Sequence, residues 1–517
     1  MMALPSDRHA WRLADLLAGF ADAGQAGDRQ VWGLSPNSRS LARGAIFLAC
    51  QGQTAHGLEF AEEARQRGAC AILAEMTPSW SADDMAALQA RLGLPVIGLQ
   101  GLRARISAIA DRFYGSPSAA METFGITGTR GKTSVAHLLA QALSIELPCG
   151  IIGTIGNGFA GDLRAATEGE SDAVHLQESL ESLRLQGARA VAVEVSPAAL
   201  GRSRFAAVHF SHAIFTSLDP KAPRHTAATG SAEAMLRLFR NPELSWGVLN
   251  LDDAFSEAIL RATPPGVGVA GFSLRPDAEA LPRCDLRVHA RAIHALPRGL
   301  RLHVVGETPS GRTEACFDSD LIGVCNAANL LAVLTVLLTR GLPLARAARE
   351  LATVRAVPGR MECFGGEQAP LVVVDHARHP EALKRALINL RAHNPRRVIT
   401  IVGCSGGGDR ETRPLMGAVA EHWSDGLILT DDNPGGECGE AIIEDILAGI
   451  AEPGRVRVER QRGLAIRVSI ALAGTGDAVL VAGKGHETVQ DMGELKLRFS
   501  DRAQVVEALR EWREGHH

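Results

Sequence analysis

"GITGTRGKTS", residues 125–134, combines three glycines with a lysine and several hydroxyl side chains. An apolar segment precedes it, and the helical pattern "VAHLLAQALS" (135–144) follows it. Backbone N–H groups in such a glycine-rich turn point into a concavity that suits phosphate oxygens, and the helix N-terminus adds a favourable dipole. The spacing is G-x-x-G-K-T rather than the strict G-x-x-x-x-G-K-T, because residue 126 is Ile. We therefore expect a nucleotide site, and the alternative is a structural glycine turn.

The residues of this turn have separate expected roles. A lysine in this position pairs with the phosphates, and the hydroxyl that follows it can ligate magnesium. The nucleotide-binding set predicted here is Gly128, Thr129, Arg130, Gly131, Lys132 and Thr133. A phosphate loop does not name the reaction, because hydrolases, kinases and ligases all use one.

Short apolar runs alternate with helical patterns along much of the chain. This alternation predicts α/β units with mostly parallel sheets. Ligands collect at the carboxyl ends of the strands in such sheets, so the polar loops after these runs are candidate site elements. The clearest runs are "AVAVEVS" (190–196), "LVVVDHA" (371–377), "RVITIVGCSGGG" (397–408), "DGLILTDDN" (425–433) and "DAVLVAGKGHE" (477–487).

Composition limits the class of protein. A chain of 517 residues is too long to fold around one hydrophobic core, and this length indicates about three domains. The net charge of −4 comes without blocks of like charge, which argues against a nucleic-acid partner. Nine cysteines without a C-x-x-C pair favour a reducing compartment over a disulfide framework or structural zinc. No secretory pattern and no membrane-length apolar run is present, so we expect a cytoplasmic protein.

Two breaks divide the pattern into domains. "YGSPSAAMETFG" (114–125) combines Pro, Gly and Ser and predicts a linker after a first region whose clear helix is Glu59–Arg67. "VRAVPGRME" (354–362) follows a long helical stretch and predicts the second break. We find no internal repeat and no low-complexity segment.

A set of further motifs, in order from residue 35 to residue 487, resembles the Mur ligase family and within it the branch that adds diaminopimelate or lysine. Beside the phosphate loop, the resembling stretches are "SPNSRS", "VAVEVS", "FTSLD" with "VLNLDD", "LIGVCNAANLLAVL", "VPGRMECF", "VVDHARHPEALKRAL", "GCSGGGDRETRPLMGAVA", "TDDNPGGE" and "GKGHE". The resemblance implies three α/β domains. They are an acceptor domain for a UDP-sugar at 1–118, a central P-loop ATPase at 119–356, and a Rossmann-like amino-acid-binding domain at 357–517.

The same resemblance implies a reaction, with ATP and Mg²⁺ as cofactors. The family joins a carboxylate to an amine at the expense of ATP, as in peptidoglycan synthesis. Phosphorylation turns the carboxylate into an acyl phosphate that an amine can attack, through a tetrahedral intermediate that needs positive charge nearby. The implied partners are a UDP-muramoyl-peptide-like acceptor and an amino acid, and the implied state is a monomer.

Nucleotide and metal residues are carried over from the family by position. Lys132 is the implied charge clamp, Thr133 and Glu194 are the implied magnesium ligands, and Glu194 joins Lys132 as a catalytic residue. A carboxylate at the end of a strand suits Mg²⁺, which prefers oxygen ligands. Asn326 matches the adenine contact, Arg360 lies at the ribose or phosphates, and Asp375 lies beside the ribose. The alternative for Asn326 is a helix N-cap.

Substrate residues are carried over in the same way. Ser38 and Arg39 match the nucleotide-sugar loop, while Ser196 and Arg204 match contacts to the peptide part of the acceptor. Arginine suits a carboxylate and an acidic side chain suits an ammonium, and a zwitterionic amino acid needs both. The implied amino-acid residues are Arg410, Asp432, Asn433, Gly483 and Glu487. Taken singly, each charged residue of this set has a surface salt bridge as its alternative.

Several positions depart from the family pattern around the metal. "TNGKTT" is here "TRGKTS", and Arg130 either adds a phosphate contact or crowds the acceptor. Met235 replaces the lysine whose carbamate helps to hold the second magnesium in the family. The family's magnesium histidine has no counterpart in register, and His225 is the nearest histidine.

Other departures concern the substrates. "EVSSHGL" is "EVSPAAL", with Pro197 and Ala198, and "TTPD" aligns only roughly, with Ser171 and Asp172. "DNPR" is "DNPG", and Gly435 lacks the charge that recognises the distal carboxylate of diaminopimelate. We therefore expect binding of ATP and of an amino acid to be kept, and the second magnesium and the muramoyl acceptor to be altered.

Three functions remain open on these grounds. The first is an ATP-dependent amide-forming ligase. The second is a nucleotide-binding pseudo-ligase with a regulatory or scaffolding role, which Met235 and the missing histidine favour. The third, a simple P-loop ATPase or kinase, leaves the motifs after residue 400 unexplained.

Overall fold

The computed structural model describes residues 10–52, 54–165, 172–219, 228–277 and 283–516. Three sheets carry the fold, and each is flanked by helices, as expected for α/β architecture. Within these described ranges, no helix is long and apolar enough to cross a membrane.

The first sheet has four parallel strands in the order β3-β4-β5-β6. Its strands are β3 Gly33–Ser35, β4 Ala45–Ala49, β5 Ala71–Glu75 and β6 Val96–Leu99, and a separate pair is β1 Trp11–Arg12 with β2 Gln30–Val31. The helices are α1 Leu13–Leu17, α2 Ala61–Gln66, α3 Ala82–Leu92 and α4 Leu102–Phe113. The predicted helix Glu59–Arg67 is α2, preceded by a 3₁₀ turn at Gly57–Phe60 that His56 caps with its side chain.

The central sheet has the order β10-β9-β8-β11-β7-β12-β13-β14-β15-β16-β17. Pairing is parallel from β8 to β15 and antiparallel at both edges. The strands are β7 Glu122–Thr127, β8 Cys149–Ile152, β9 Asn157–Phe159, β10 Asp162–Arg164, β11 Ala190–Glu194, β12 His212–Phe215, β13 Trp246–Asn250, β14 Gly268–Ser273, β15 Leu286–Leu296, β16 Gly299–Thr308 and β17 Gly311–Ser319.

Helices cover both faces of the central sheet, because its apolar strands are buried on both sides. One hydrophobic core contains residues of α5 and α10, and the other contains residues of α6 and α8. The helices are α5 Lys132–Leu143, α6 Ala173–Leu185, α7 Pro197–Gly201, α8 Ala228–Phe239, α9 Phe255–Ala262, α10 Val324–Thr339 and α11 Leu344–Leu351.

The third sheet has the order β18-β19-β23-β20-β21-β22, parallel except for β18. Its strands are β18 Glu362–Gly365, β19 Leu371–Asp375, β20 Val398–Val402, β21 Gly426–Leu429, β22 Arg457–Val458 and β23 Ala478–Ala482, and a hairpin follows with β24 Val489–Asp491 and β25 Lys496–Arg498. The helices are α12 Pro380–Arg391, α13 Thr412–Trp423, α14 Gly439–Leu447, α15 Arg462–Leu472 and α16 Asp501–Gly515.

The predicted linker at 114–125 is an ordered segment. Pro117–Ala120 form a 3₁₀ turn, and Pro117 and Ser118 are buried. Ser118 Oγ accepts a hydrogen bond from the backbone N–H of His209, and β7 begins at Glu122. The segment is therefore packed against the central unit. The three domain boundaries themselves stay predictions.

Candidate functional site

The glycine-rich turn joins β7 to α5 in the middle of the central sheet. Gly128 has φ +137°, and a Cβ there would lie 2.2 Å from Thr216 Oγ1. Gly131 has φ +83°, and its Cβ would lie 2.8 Å from Asn329 Oδ1. Glycine is needed at both positions because the backbone is left-handed or nearly so and neighbouring groups press on it.

Lys132 folds back over this turn. Its Nζ donates to the carbonyl oxygens of Gly128, at 2.7 Å, and Thr129, at 3.4 Å. Burial lowers the pKa of Lys132, and nearby Glu194 opposes that shift. The Lys132 ammonium lies above a phosphate-binding concavity. When a nucleotide binds, it can exchange its hydrogen bonds to backbone carbonyls for bonds to phosphate oxygens.

Glu194 reaches the same place from the neighbouring strand. It ends β11, which pairs with β7 so that Glu194 lies opposite Ile126. Thr133 Oγ1 donates to Glu194 Oε2 at 2.9 Å, and the N–H of Thr154 donates to Oε1 at 3.0 Å. The side chain is buried, at 8% exposed. The predicted metal residues Thr133 and Glu194 are therefore in direct contact.

This donor set fits magnesium. Mg²⁺ retains several waters and is usually held by one or two carboxylates together with substrate phosphates. One carboxylate and one hydroxyl beside a phosphate loop meet that requirement. Clusters of three or more His, Cys, Asp or Glu side chains suited to a metal are absent from the described ranges, so a metal held by protein side chains alone is not indicated there.

Arg130 pairs with Asp219 at 2.9 Å, and its side chain is 42% exposed. Asp219 in turn donates its backbone N–H to Thr129 Oγ1. The arginine thus links the phosphate loop to the segment after β12, and its two predicted roles, a phosphate contact or crowding of the acceptor, stay predictions.

The N-terminal turn of α10 packs against the phosphate loop. Asn326 Nδ2 donates to the carbonyl of Ile322, and its Oδ1 accepts from Asn329 Nδ2 at 3.1 Å. The N-cap position belongs to Gly323, so the N-cap interpretation of Asn326 is wrong. Its buried amide instead anchors Asn329, whose oxygen faces Gly131.

Arg360 and Asp375 bring the third sheet to the phosphate loop. Arg360 is close enough to lower the pKa of Lys132 electrostatically, and its Nε is buried without a hydrogen-bond partner among the described residues. Asp375 Oδ2 accepts the N–H of Met361 at 2.8 Å. Burial raises the pKa of Asp375 to about 6.

A cavity of about 550 Å³ lies between the first sheet and the central unit. Ser38, Arg39 and Arg204 line it, together with Asp172. Ser38 Oγ donates to Glu63 Oε2 at 2.7 Å, and burial lowers the pKa of Arg204. The lining does not include Ser196, whose Oγ caps α7 by accepting from the N–H of Ala199.

A second cavity, of about 660 Å³, lies between the central unit and the third sheet. Asn433 and Glu487 line one side, and Thr154 lines the other. Asn433 Nδ2 donates to Glu487 Oε2 at 2.9 Å. Burial, with His376 nearby, lowers the pKa of His486 to about 4, so this lining imidazole is neutral near pH 7.

The other predicted amino-acid residues differ in position. Asp432 is almost fully buried and accepts from Ser405 Oγ at 3.0 Å, while its Oδ1 has no partner in the described part of the chain. Gly483, with φ +119°, is next to it. Arg410 is 67% exposed and pairs with Asp445 at 3.1 Å, outside the cavity lining. For Arg410 the structure matches the surface salt bridge.

Comparison with known proteins covers nearly the whole chain. Family models match at residues 30–114 (Mur ligase family, catalytic domain), 126–337 (Mur ligase middle domain) and 359–485 (Mur ligase, glutamate ligase domain). A UDP-N-acetylmuramoyl-L-alanyl-D-glutamate--2,6-diaminopimelate ligase from Alkalilimnicola ehrlichii is 43% identical over 504 residues, which is 97% of this chain and 99% of that protein. The chain belongs to the Mur ligase family.

Two further Mur ligases support this assignment. A protein of the same name from Xanthomonas oryzae pv. oryzae (strain MAFF 311018) is 41% identical over 93% of this chain and 94% of its own length. A solved structure titled UDP-N-acetylmuramoyl-L-alanyl-D-glutamate--2,6-diaminopimelate ligase is 27% identical, covers 98% of this chain and 100% of that one, and has a TM-score of 0.70. The expected three-domain α/β fold of a Mur ligase is confirmed.

The departures from the Mur ligase pattern have definite places. Met235 belongs to α8, and its side chain is fully buried in the core. Gly435 has φ +59°, and no atom lies within 4 Å of a Cβ added there. Asp172 caps α6 by accepting from Val174 and His175. Pro197 is the first residue of α7, where its missing N–H costs no hydrogen bond. His225 and Ser171 lie outside the described residues.

Several residues of the candidate site were missed from the sequence. They are Thr154, Thr216, Asn329, Arg378 and Lys484. A signal existed for Asn329, because it lies three residues after Asn326 and therefore on the same helix face. Thr216, Arg378 and Lys484 lie inside quoted motifs. Thr154 carries no local signal, because only strand order brings it to the site.

Proposed function

We propose that this chain is an ATP-dependent ligase that joins an amino acid to a carboxylate of a UDP-muramoyl-dipeptide or a related acceptor, in peptidoglycan-type synthesis. The observation that carries the proposal is the position of Thr154. This residue lines the cavity of Asn433 and Glu487 and also binds Glu194, which contacts Thr133 of the phosphate loop. Phosphate transfer and amino-acid binding therefore have adjoining sites.

The chain's own residues suit each step. Loop amides and Lys132 hold the phosphates, and Thr133 with Glu194 would hold magnesium, which neutralises phosphate charge when bound. The acceptor carboxylate takes the terminal phosphoryl group and ADP leaves. The amine then attacks the acyl phosphate, phosphate departs with the electron pair of the broken C–O bond, and the amine loses its proton to solvent. Arg360 adds positive charge where the tetrahedral oxyanion would form.

The proposal can be tested with purified protein, ATP, magnesium, UDP-muramoyl-dipeptide and a panel of amino acids. We expect phosphate release that requires both the acceptor and an amino acid, with a ligated product of the corresponding mass. Phosphate release without either substrate would instead indicate a simple ATPase. Absence of product with every acceptor tried would contradict the assignment of a muramoyl-peptide acceptor.

The pseudo-ligase alternative gains no support from the comparisons, because the relatives are named as ligases. It predicts ATP binding by calorimetry without turnover. Met235→Lys is the informative variant, since it restores the residue type that the resemblance implies. The cytoplasmic location and the monomeric state stay predictions.

A further inference from the structure

His393 joins the unit of the third sheet to the start of α10 in the central unit. It lies just beyond the C-terminal end of α12. Its Nε2 accepts the backbone N–H of Gly323 at 3.0 Å, and its Nδ1 donates to the carbonyl oxygen of Leu296 at 2.7 Å. One imidazole therefore satisfies two backbone groups of the central unit, one at the start of α10 and one at the end of β15.

These two bonds define the state of the ring. Gly323 offers a donor and Leu296 offers an acceptor, so the imidazole is neutral and carries its hydrogen on Nδ1. His393 is only 8% exposed, and a buried backbone group that loses its partner is costly. The imidazole is therefore a specific connection between the two units.

The packing around Gly323 is equally tight. Gly323 has φ +87°, and a Cβ there would lie 2.9 Å from the side chain of Asn389 on α12. The preceding residue, Ile322, is fully buried and belongs to the hydrophobic core of the third sheet's unit. The short segment before α10 is thus held by the third sheet's unit through its backbone and through an apolar side chain.

The same segment holds side chains of the nucleotide site. The carbonyl of Ile322 accepts from Asn326 Nδ2, and the carbonyl of Gly323 accepts the N–H of Asn326, both at 3.0 Å. Asn326 Oδ1 accepts from Asn329, whose own oxygen faces Gly131 of the phosphate loop. A continuous series of contacts therefore leads from the imidazole to the phosphate loop.

The other end of α12 leads to the opposite side of the nucleotide site. Asp375 ends β19, the strand before α12, and its Oδ2 accepts the N–H of Met361, next to Arg360. Because an α-helix of 12 residues is a rigid element, its two ends move together. His393 therefore fixes the position of the first turn of α10 relative to Arg360 and Asp375.

We propose that His393 is a positioning residue of the ATP site. Its bond to Gly323 keeps Asn326, the predicted adenine contact, in register with Arg360 and Asp375 on the third sheet's unit. A nucleotide that contacts both units binds more tightly when this bond is intact, whereas a polyphosphate that needs only the phosphate loop is indifferent to it. This inference rests on the proposed function, in which the ligand of the site is ATP.

Two variants separate the two bonds of the imidazole. Asparagine places its amide group near the position of Nδ1, so His393→Asn keeps a donor for Leu296 and loses the acceptor for Gly323. Glutamine reaches the position of Nε2, so His393→Gln keeps an acceptor for Gly323 and loses the donor for Leu296. The inference assigns the effect on ATP to the bond with Gly323.

Calorimetry with the full chain and magnesium tests this assignment. The probes are adenylyl imidodiphosphate, a non-hydrolysable ATP analogue, and tripolyphosphate, which lacks the nucleoside. His393→Asn should weaken the analogue by ~10-fold, as expected for one buried hydrogen bond, and leave tripolyphosphate unchanged. His393→Gln should stay within about three-fold of the parent for both probes. His422→Ala is the matched control, because His422 is an exposed histidine on α13 of the same unit, and it should change neither affinity.

Steady-state ligation gives a second measurement. His393→Asn should raise the KM for ATP by a similar factor and leave the KM for the acceptor unchanged, because neither His393 nor its partners line the cavity of Ser38 and Arg39. Equal effects of the asparagine and glutamine variants on the analogue overturn the inference. Equal weakening of the analogue and tripolyphosphate overturns it as well, since that pattern indicates a general loss of structure.

The outcomes separate the inference from the function. The expected binding pattern without ligation of any amino acid supports the inference and overturns the proposed function. Intact ligation with identical affinities in both variants does the reverse. If His393→Asn fails to fold, Gly323→Ala decides the question, because the added methyl group presses on Asn389 and separates the same two elements. It should weaken the analogue and spare tripolyphosphate, and any other pattern overturns the inference.

Discussion

The phosphate loop and the amino-acid cavity are built in opposite ways. The loop presents backbone amides and one lysine from ten consecutive residues, and two glycines give it its shape. The cavity presents side chains that come from separate loops, joined by the network of Arg378, Asn433, Lys484 and Glu487. A site made of backbone tolerates changes in its neighbours, whereas a site made of paired charges changes specificity when one partner changes.

Lys132→Ala is the strongest test of the backbone-built site. Loss of the Lys132 ammonium from the phosphates should lower the rate of phosphate release by ~10²- to 10³-fold. Steady-state assays with both substrates measure this effect. Arg301→Ala is the control, since Arg301 forms an exposed pair with Asp318 on the edge of the same sheet. A rate within a few-fold of the parent rate would show that the backbone amides of the loop hold the phosphates without Lys132.

Glu194→Gln separates metal binding from loop architecture. Glutamine can still accept the N–H of Thr154 but carries no charge for Mg²⁺. We expect a rate loss of about 10- to 100-fold and a higher magnesium requirement, measured by titrating magnesium in the ligation assay. An unchanged magnesium dependence would mean that Glu194 only positions Thr133 and Thr154.

Asp375→Asn tests the boundary between the two regions. Burial raises the pKa of Asp375 to about 6 in the folded protein, from an ordinary value of 3.8. The folded state therefore binds the extra proton between these pH values, and stability from this group falls as pH rises from about 4 to about 6. Because the side chain is partly exposed, we expect a loss of about 2 kcal/mol.

The measurement for Asp375 compares both proteins. Urea denaturation at pH 4, 5, 6 and 7 should show the variant gaining stability relative to the parent as pH rises, with no further gain above pH 7. Asparagine keeps an acceptor for the N–H of Met361. A difference that is constant across this range would exclude a raised pKa.

Gly435→Ala should have the smallest effect. The position has φ +59° and open space around it, so the expected cost is about 1 kcal/mol of unfolding free energy, from backbone strain alone. Gly436→Ala is the matched control, because Gly436 also has open space but lacks a positive φ. Equal stabilities of the two variants in urea denaturation would contradict this account.

The local sequence pattern was enough to predict many of the strands. The strands at 190–194, 371–375, 398–402, 426–429 and 478–482 fall within the apolar runs, because buried parallel strands need continuous apolar sequence. The contact between Thr133 and Glu194 follows from two strands that each end in a site loop. Pattern did not indicate the packed turn at residues 117–120 within the predicted linker, since Pro, Gly and Ser occur in loose and packed turns alike.

The α/β class and the phosphate turn followed from the sequence alone, because glycine conformation and apolar periodicity are local properties, and the ordered motifs indicated the Mur ligase family. The pairing of charges depended on the tertiary structure. That structure paired Arg130 with Asp219, Arg410 with Asp445 and Arg378 with Glu487. Ion pairing depends on which strand ends are neighbours, and strand order is set by packing across the whole sheet rather than by any short stretch.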